Sequence, residues 1–222
     1  EIDFPVIDAN VLFDDTTGKN YIYFSRCCYK HPVESEIAAK AKADGMYDEI
    51  EESWIYGAEL LPDFSGIVGE PVRLLAPPTL LSDVQAEWES RSVTAGEAGR
   101  RWTEGSYIFR HGDTYYIMYS ANAFFGGNYA VGYATSKSPL GPFEKSSTNP
   151  ILKENSSEGG NVIGTGHNMA LTMPDGNMYT VYHGRMTSAP EKRVVLIDRM
   201  EIDSTGILSV TGPTTEPQTI AY

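Results

Sequence analysis

The sequence predicts an all-β protein, a β-propeller with three blades in this chain. Three observations carry that prediction. Glycine (21), proline (13) and tyrosine (14) are plentiful in the 222 residues. Short apolar or aromatic runs are punctuated by Asp-Gly, Pro-Asp-Gly and Thr-Gly turns, the pattern of many short antiparallel strands, while long amphipathic helical runs are scarce. Third, one strand–turn–strand unit occurs three times, and repeats of this length mark propellers and related arrays.

The first unit opens with Ile7–Phe13, turns through Asp14–Gly18 and returns along Lys19–Ser25. The second runs Thr103–Phe109, Arg110–Gly112, Asp113–Tyr119, and the third Gly166–Thr172, Met173–Gly176, Asn177–His183. In each, a tyrosine stands three residues after the turn glycine, which makes Tyr21, Tyr115 and Tyr179 equivalent. The turns differ slightly in length, as hairpin loops do. Strand-like stretches follow each hairpin. These are Trp54–Leu60 and Pro71–Leu75 in the first unit, and Tyr129–Ser136 and Ser138–Phe143 in the second. In the third they are Val194–Ile202 and Ile207–Val210. Each unit is thus a sheet of about four strands, the form of a propeller blade, with units at about 1–98, 99–160 and 161–222. The helical candidate, Val33–Ala43, reads as an excursion between strands of an enlarged first unit. A two-sheet sandwich gives no reason for equivalent hairpins at long spacing.

Composition narrows the function. With 30 Asp+Glu against 17 Lys+Arg the net charge is −13, which argues against a phosphate-tracking, nucleic-acid-binding surface. No apolar run approaches the roughly 20 residues of a spanning helix, so no membrane association is expected. The start, Glu1–Pro5, lacks the basic and apolar regions of a signal peptide; without an initiator Met it reads as a processed or trimmed product. Cys27 and Cys28 are neighbours in a strand-like run, so they point to opposite faces and read as small core residues. His31 alone does not complete a two-cysteine metal site. An Asn-Ser-Ser sequon at Asn155 and the acidic, lysine-poor composition favour an extracellular protein, with a cytoplasmic one as the alternative.

At the head of each unit's first strand stand Asp8, Glu104 and His167. The innermost strand of a blade lines the propeller axis, so equivalent positions on different blades converge. Two carboxylates and a histidine around a central pocket suit glycoside cleavage. One carboxylic acid protonates the leaving oxygen and must hold its proton near neutrality; a second carboxylate nearby raises its pKa because joint ionisation is disfavoured. Singly, each residue has a plainer reading: a turn cap, a solvated charge, a core histidine.

Val6–Asp15, Thr103–Phe109 and Gly164–Asn168 resemble glycoside hydrolase family 43, as do Asn128–Ser136 with Ser138–Phe143, Val181–Arg185 and Arg193–Asp203. The resemblance covers nearly the whole chain apart from about residues 30–53. It implies a five-bladed propeller acting with inversion on arabinose- or xylose-containing plant polysaccharides. Substrates are then arabinan, arabinoxylan or xylo-oligosaccharide. Glu104 matches the family's general acid and Asp8 the aspartate that tunes and orients it. His167 matches an axial histidine that in many members touches calcium or another ion, often through water, so calcium is the implied structural cofactor. Arg193 matches an arginine that hydrogen-bonds substrate hydroxyls, with a surface ion pair as the alternative. Phe124 and Phe125 form either a sugar-stacking wall or core and loop packing. Ser106 stands where proline is commoner after Glu-Gly.

The family's general base belongs to a blade two before Asp8, and the second blade's Trp-Ala-Pro segment has no counterpart here. Asp3, on the approach to the first unit, is not assigned as the base. Three blades do not close a ring, and an open arc exposes strand edges and apolar faces. The expectation is therefore an N-terminal piece of about two blades, carried by a separate chain, that docks against this one. The competing functions are a non-catalytic carbohydrate-binding propeller, which the absent base favours, and an endo-arabinanase. A fructan-acting five-bladed enzyme lacks its Arg-Asp-Pro and Glu-Cys signatures here. Arg193–Arg199 and Gly212–Thr214 favour exo-acting arabinofuranosidase or xylosidase chemistry.

Overall fold

A computed structural model describes residues 5–30 and 35–220, without the Cys28 side chain. Asp3, His31, the Val33 end of the expected helix and the Cys28 thiol lie outside the described residues. The strands form three antiparallel four-stranded blades. The first holds β1 (Val6–Asp14), β2 (Lys19–Lys30), β3 (Glu51–Leu60) and β4 (Ile67–Leu75). The second holds β5 (Arg100–His111), β6 (Thr114–Ala121), β7 (Ala130–Ser136) and β8 (Glu144–Lys145). The third holds β9 (Val162–Thr172), β10 (Met178–Met186), β11 (Ala189–Ile202) and β12 (Leu208–Val210). A short parallel pairing of Glu51–Ser53 with Arg100–Trp102 joins the first two blades.

The three hairpin turns end at Gly18, Gly112 and Gly176, with φ of 68°, 61° and 86°, a left-handed conformation that glycine adopts without a Cβ penalty. Asp14 organises the first turn by accepting from the Thr16 amide and the Thr17 hydroxyl. It also accepts from the Tyr115 hydroxyl at 2.7 Å and so ties two blades together. The blades pack through strand alternation. On β6, Tyr115, Ile117 and Tyr119 face the first blade with Tyr21, Tyr23, Ile55 and Trp88. Tyr116 and Met118 face the third with Ala170, Met178, Tyr182 and Met200. Period-two geometry makes one strand serve two cores.

The structure corrects two element assignments. Ser138–Phe143 is a turn with Gly141 at φ 85°, and the outer strand of the second blade is the two-residue β8 that follows it. Besides α1 (Glu36–Ala43), capped by the Ser35 hydroxyl accepting from the Ala38 amide, the connection from β4 to β5 carries a 3-10 turn at Trp88–Ser90 and a short helix α2 at Arg91–Thr94. Four residues are too few for a helical period to show in sequence. Buried charges fasten this connection. Arg101, fully buried, pairs with Glu52 at 2.7 Å and donates to Ser90 Oγ, Ser35 Oγ and the Pro78 carbonyl. Glu89 pairs with Lys145 at 2.7 Å and accepts from the Tyr119 hydroxyl.

The sequon residue Asn155 has its side chain committed: Nδ2 donates to the Pro213 carbonyl and Oδ1 accepts from the Val162 amide.

Candidate active site

Each innermost strand carries a β-bulge at its axial end, between Ile7 and Asn10, between Glu104 and Tyr107, and between Gly166 and Met169. The first bulged residue is left-handed in every case: Asp8 (φ 57°), Gly105 (φ 59°) and His167 (φ 51°). Non-glycine residues rarely occupy this region. The bulges alter one expectation. Asp8 and His167 are equivalent, but Glu104 precedes the left-handed residue of its blade and so matches Ile7 and Gly166. A serine on the preceding blade receives the left-handed amide: Gly105 N–H donates to Ser25 Oγ at 3.2 Å, and His167 N–H donates to Ser120 Oγ at 2.7 Å. Asn10 Nδ2 donates to the Ser106 carbonyl, so the serine that replaces the commoner proline sits in a bulge held by the neighbouring blade.

The five residues singled out in the sequence, Asp8, Glu104, Phe124, His167 and Arg193, meet at one cavity of about 310 Å³. Trp102, Tyr129, His183 and Cys27 join its lining. Glu104 is buried, with 5% of its surface exposed, whereas Asp8 is half-buried and His167 exposed. Tyr129, buried on 1% exposure, donates to Glu104 Oε1 at 3.0 Å. Its ring stacks on His183 with centroids 5.6 Å apart and leaves no room for a side chain at Gly166. On the other wall Phe124 stacks on Trp102 at 5.8 Å, Phe125 meets both edge-on, and the Arg193 guanidinium lies 5.0 Å over the Phe124 ring.

Burial and the Asp8 charge push the Glu104 carboxyl up to about 7, against the Tyr129 hydrogen bond and the Arg193 charge, which both favour the ionised form. Burial is the main cause, because it disfavours the charged state. Glu104 therefore keeps its proton into the neutral range, as a general acid must. His183 moves the other way, down to about 4, through burial and the positive charges of Arg193, Arg185 and His167. It is a neutral imidazole in the working range.

The donor set decides whether a calcium ion fits. Among the described residues no group of three or more His, Cys, Asp or Glu is arranged to hold a metal. His167 offers a single imidazole, whereas calcium takes about 6–8 oxygen ligands. The described residues do not build a calcium cage.

Tyr129, Trp102, His183 and Cys27 were not singled out by sequence. Buried aromatic residues at alternate strand positions look alike whether they pack a core or line an axis, and Cys27 reads as core.

A propeller with a proton-holding carboxyl beside a second carboxylate at its axial cavity has the framework of a glycoside hydrolase. The model of glycosyl hydrolases family 43 matches residues 2–208, and the chain belongs to that family. A β-D-galactofuranosidase of Aspergillus niger is 38% identical over 108 residues, covering 47% of this chain and 30% of the relative. A xylosidase/arabinosidase of Bacteroides ovatus is 28% identical over 134 residues, covering 60% and 37%. The crystal structure of a thermostable family-43 glycoside hydrolase aligns with a TM-score of 0.76 at 33% identity, covering 98% of this chain and 61% of that one. The chain thus matches about a third of the length of these curated relatives and about three-fifths of that solved structure.

Proposed function

We propose that this chain supplies the general-acid side of an inverting glycosidase that releases arabinofuranose or xylose units from plant cell-wall polysaccharide. The observation that carries the reading is Glu104: buried, held by Tyr129, and protonated up to about pH 7 with Asp8 as a contributor. Asp8 raises and orients the acid, Arg193 and Phe124 receive the sugar, and the remaining wall excludes water. Xylosidase/arabinosidase is the name of the Bacteroides ovatus relative, and galactofuranose, named for the Aspergillus niger one, is a further furanose candidate.

Inversion needs a base that activates water roughly 6.5–9.5 Å from the acid. Among the described residues lining the cavity, the carboxylates are Asp8 and Glu104. We assign the base to an N-terminal piece of the same enzyme. Exposed apolar side chains on the two end blades support that docking, Phe13 on the first and Met169 and Val195 on the third. The composition supports action outside the cell.

The test is a panel of nitrophenyl arabinofuranoside, xyloside and galactofuranoside with debranched arabinan, assayed on the assembled enzyme. Proton NMR of the first-formed anomer reads the stereochemistry. Release of the inverted sugar from one of these is the expected result. Binding without hydrolysis throughout would favour a carbohydrate-binding propeller, and a retained anomer would exclude the inverting mechanism.

A further inference from the structure

We propose that Glu97, which lies outside the cavity lining, is a positioning residue that sets the aromatic wall of the site. The inference rests on the glycosidase reading above. Phe124 and Phe125 sit in the loop between β6 and β7, which has no ladder of its own to fix it. Glu97 supplies one. Its Oε1 accepts from the Gly127 amide at 2.5 Å and the Asn128 amide at 3.3 Å, and its Oε2 accepts from the Ser92 hydroxyl at 2.7 Å. Ser92 Oγ accepts in turn from the Ala123 amide at 3.0 Å. The carboxylate thereby grips both ends of the Phe124–Phe125 segment, directly at 127–128 and through Ser92 at 123.

Two further features show that the loop is built around this carboxylate. A Cβ at Gly126 would fall on this carboxylate, so glycine lets the Glu97 side chain keep its place there. Asn122, buried and left-handed at φ 80°, anchors the loop's start by donating to the Trp88 and Asn128 carbonyls and accepting from the Ser92 amide. From the third blade, Arg185 Nη2 donates to the Phe124 carbonyl at 3.2 Å. Both Glu97 and Ser92 belong to the β4–β5 connection. That connection, which leaves the first blade, is thus the cradle of a wall belonging to the second.

The wall binds sugar but transfers no proton, so loosening it acts on substrate binding and leaves the acid alone. Tyr129 keeps its own anchors, the Gly166 cleft and the His183 stack. The test compares Glu97→Ala and Glu97→Gln in the assembled enzyme. For Glu97→Ala we expect KM to rise about tenfold on the best aryl glycoside, with kcat nearly unchanged and the basic limb of its pH profile unmoved. Hydrogen exchange at the Gly127 and Asn128 amides should accelerate in the same variant. Glu97→Gln keeps the Oε1 acceptor and should restore both readouts. A Glu97→Ala enzyme with wild-type KM, or one that loses kcat at constant KM, overturns the proposal. If the wild-type assembly cleaves none of the glycosides, the glycosidase reading fails on its own; sugar affinity by calorimetry then replaces KM, and unchanged affinity with unchanged exchange in Glu97→Ala overturns the clamp.

Discussion

The Tyr129 hydroxyl donates to Glu104 Oε1 across 3.0 Å, from the strand-proximal end of the wall loop to a carboxyl of the same blade. The bond opposes burial. Burial holds the proton on Glu104, while the phenol stabilises the carboxylate that remains after the proton has left. A general acid needs both: a proton to give, and a conjugate base the site can tolerate.

Replacing Glu104 by Gln keeps the shape and removes the proton. Turnover of unactivated polysaccharide should fall by about 10²–10⁴-fold, with a smaller loss on nitrophenyl glycosides whose leaving groups need little protonation. Circular dichroism should be unchanged. Full activity on arabinan would remove Glu104 from the mechanism.

Tyr129→Phe and Asp8→Asn should move the pH profile in opposite directions. Loss of the phenol removes a group that lowers the Glu104 pKa, so the basic limb of kcat/KM shifts above about 7. Loss of the Asp8 charge removes a group that raises it, so the limb shifts below about 7. Asparagine tolerates the left-handed backbone at Asp8, which keeps the second variant interpretable. Shifts of the same sign in both variants would contradict the electrostatic account.

Glu104 also links pH to stability. Its folded pKa of about 7 lies above the ordinary glutamate value of 4.5, so between these values the folded state holds a proton that the unfolded state has released. The contribution favours folding below about 4.5, declines through the window and is lost above about 7. Glu104→Gln should therefore flatten the fall in denaturation free energy across this range, gaining on the order of 2–3 kcal/mol at the alkaline end relative to wild type. Urea titrations at pH 5 and 8 check the difference; equal slopes in both proteins would refute it.

Gly166→Ala tests the packing behind Glu104. The added methyl would run into the Tyr129 ring, and overpacking of this kind costs about 1–3 kcal/mol. A lowered melting temperature should accompany a shifted pH limb, because the Tyr129 ring that must move also carries the hydroxyl bonded to Glu104. A variant with wild-type stability would show that the ring has room to yield.

Much of this molecule was legible in its sequence. Turn glycines 18, 112 and 176 with their trailing tyrosines disclosed three equivalent hairpins, because a left-handed turn residue and a buried aromatic at fixed spacing are backbone requirements. Asp8 and His167 stood out at the strand heads for the same reason. The one-residue offset of Glu104 was not visible. A bulge inserts a residue without a composition of its own, and here two of the three left-handed positions are filled by Asp and His in place of Gly. The β4–β5 connection was hidden too. Its fixed points are Arg101, Glu89 and Glu97, charged residues that read as solvated until their partners are seen. Tyr129 and Trp102 differ from core aromatics only in what lies on their far side.

The bulges have a consequence for how such a site changes over generations. Beyond each bulge the strand alternates to pack its blades; before it, the phase of that alternation is reset. Residues at the axis can then differ between blades, or stand offset by one as Glu104 does, without turning the packing side chains over to the wrong face. The scaffold and the chemistry are separately editable, and the boundary between them is a single left-handed residue in each blade.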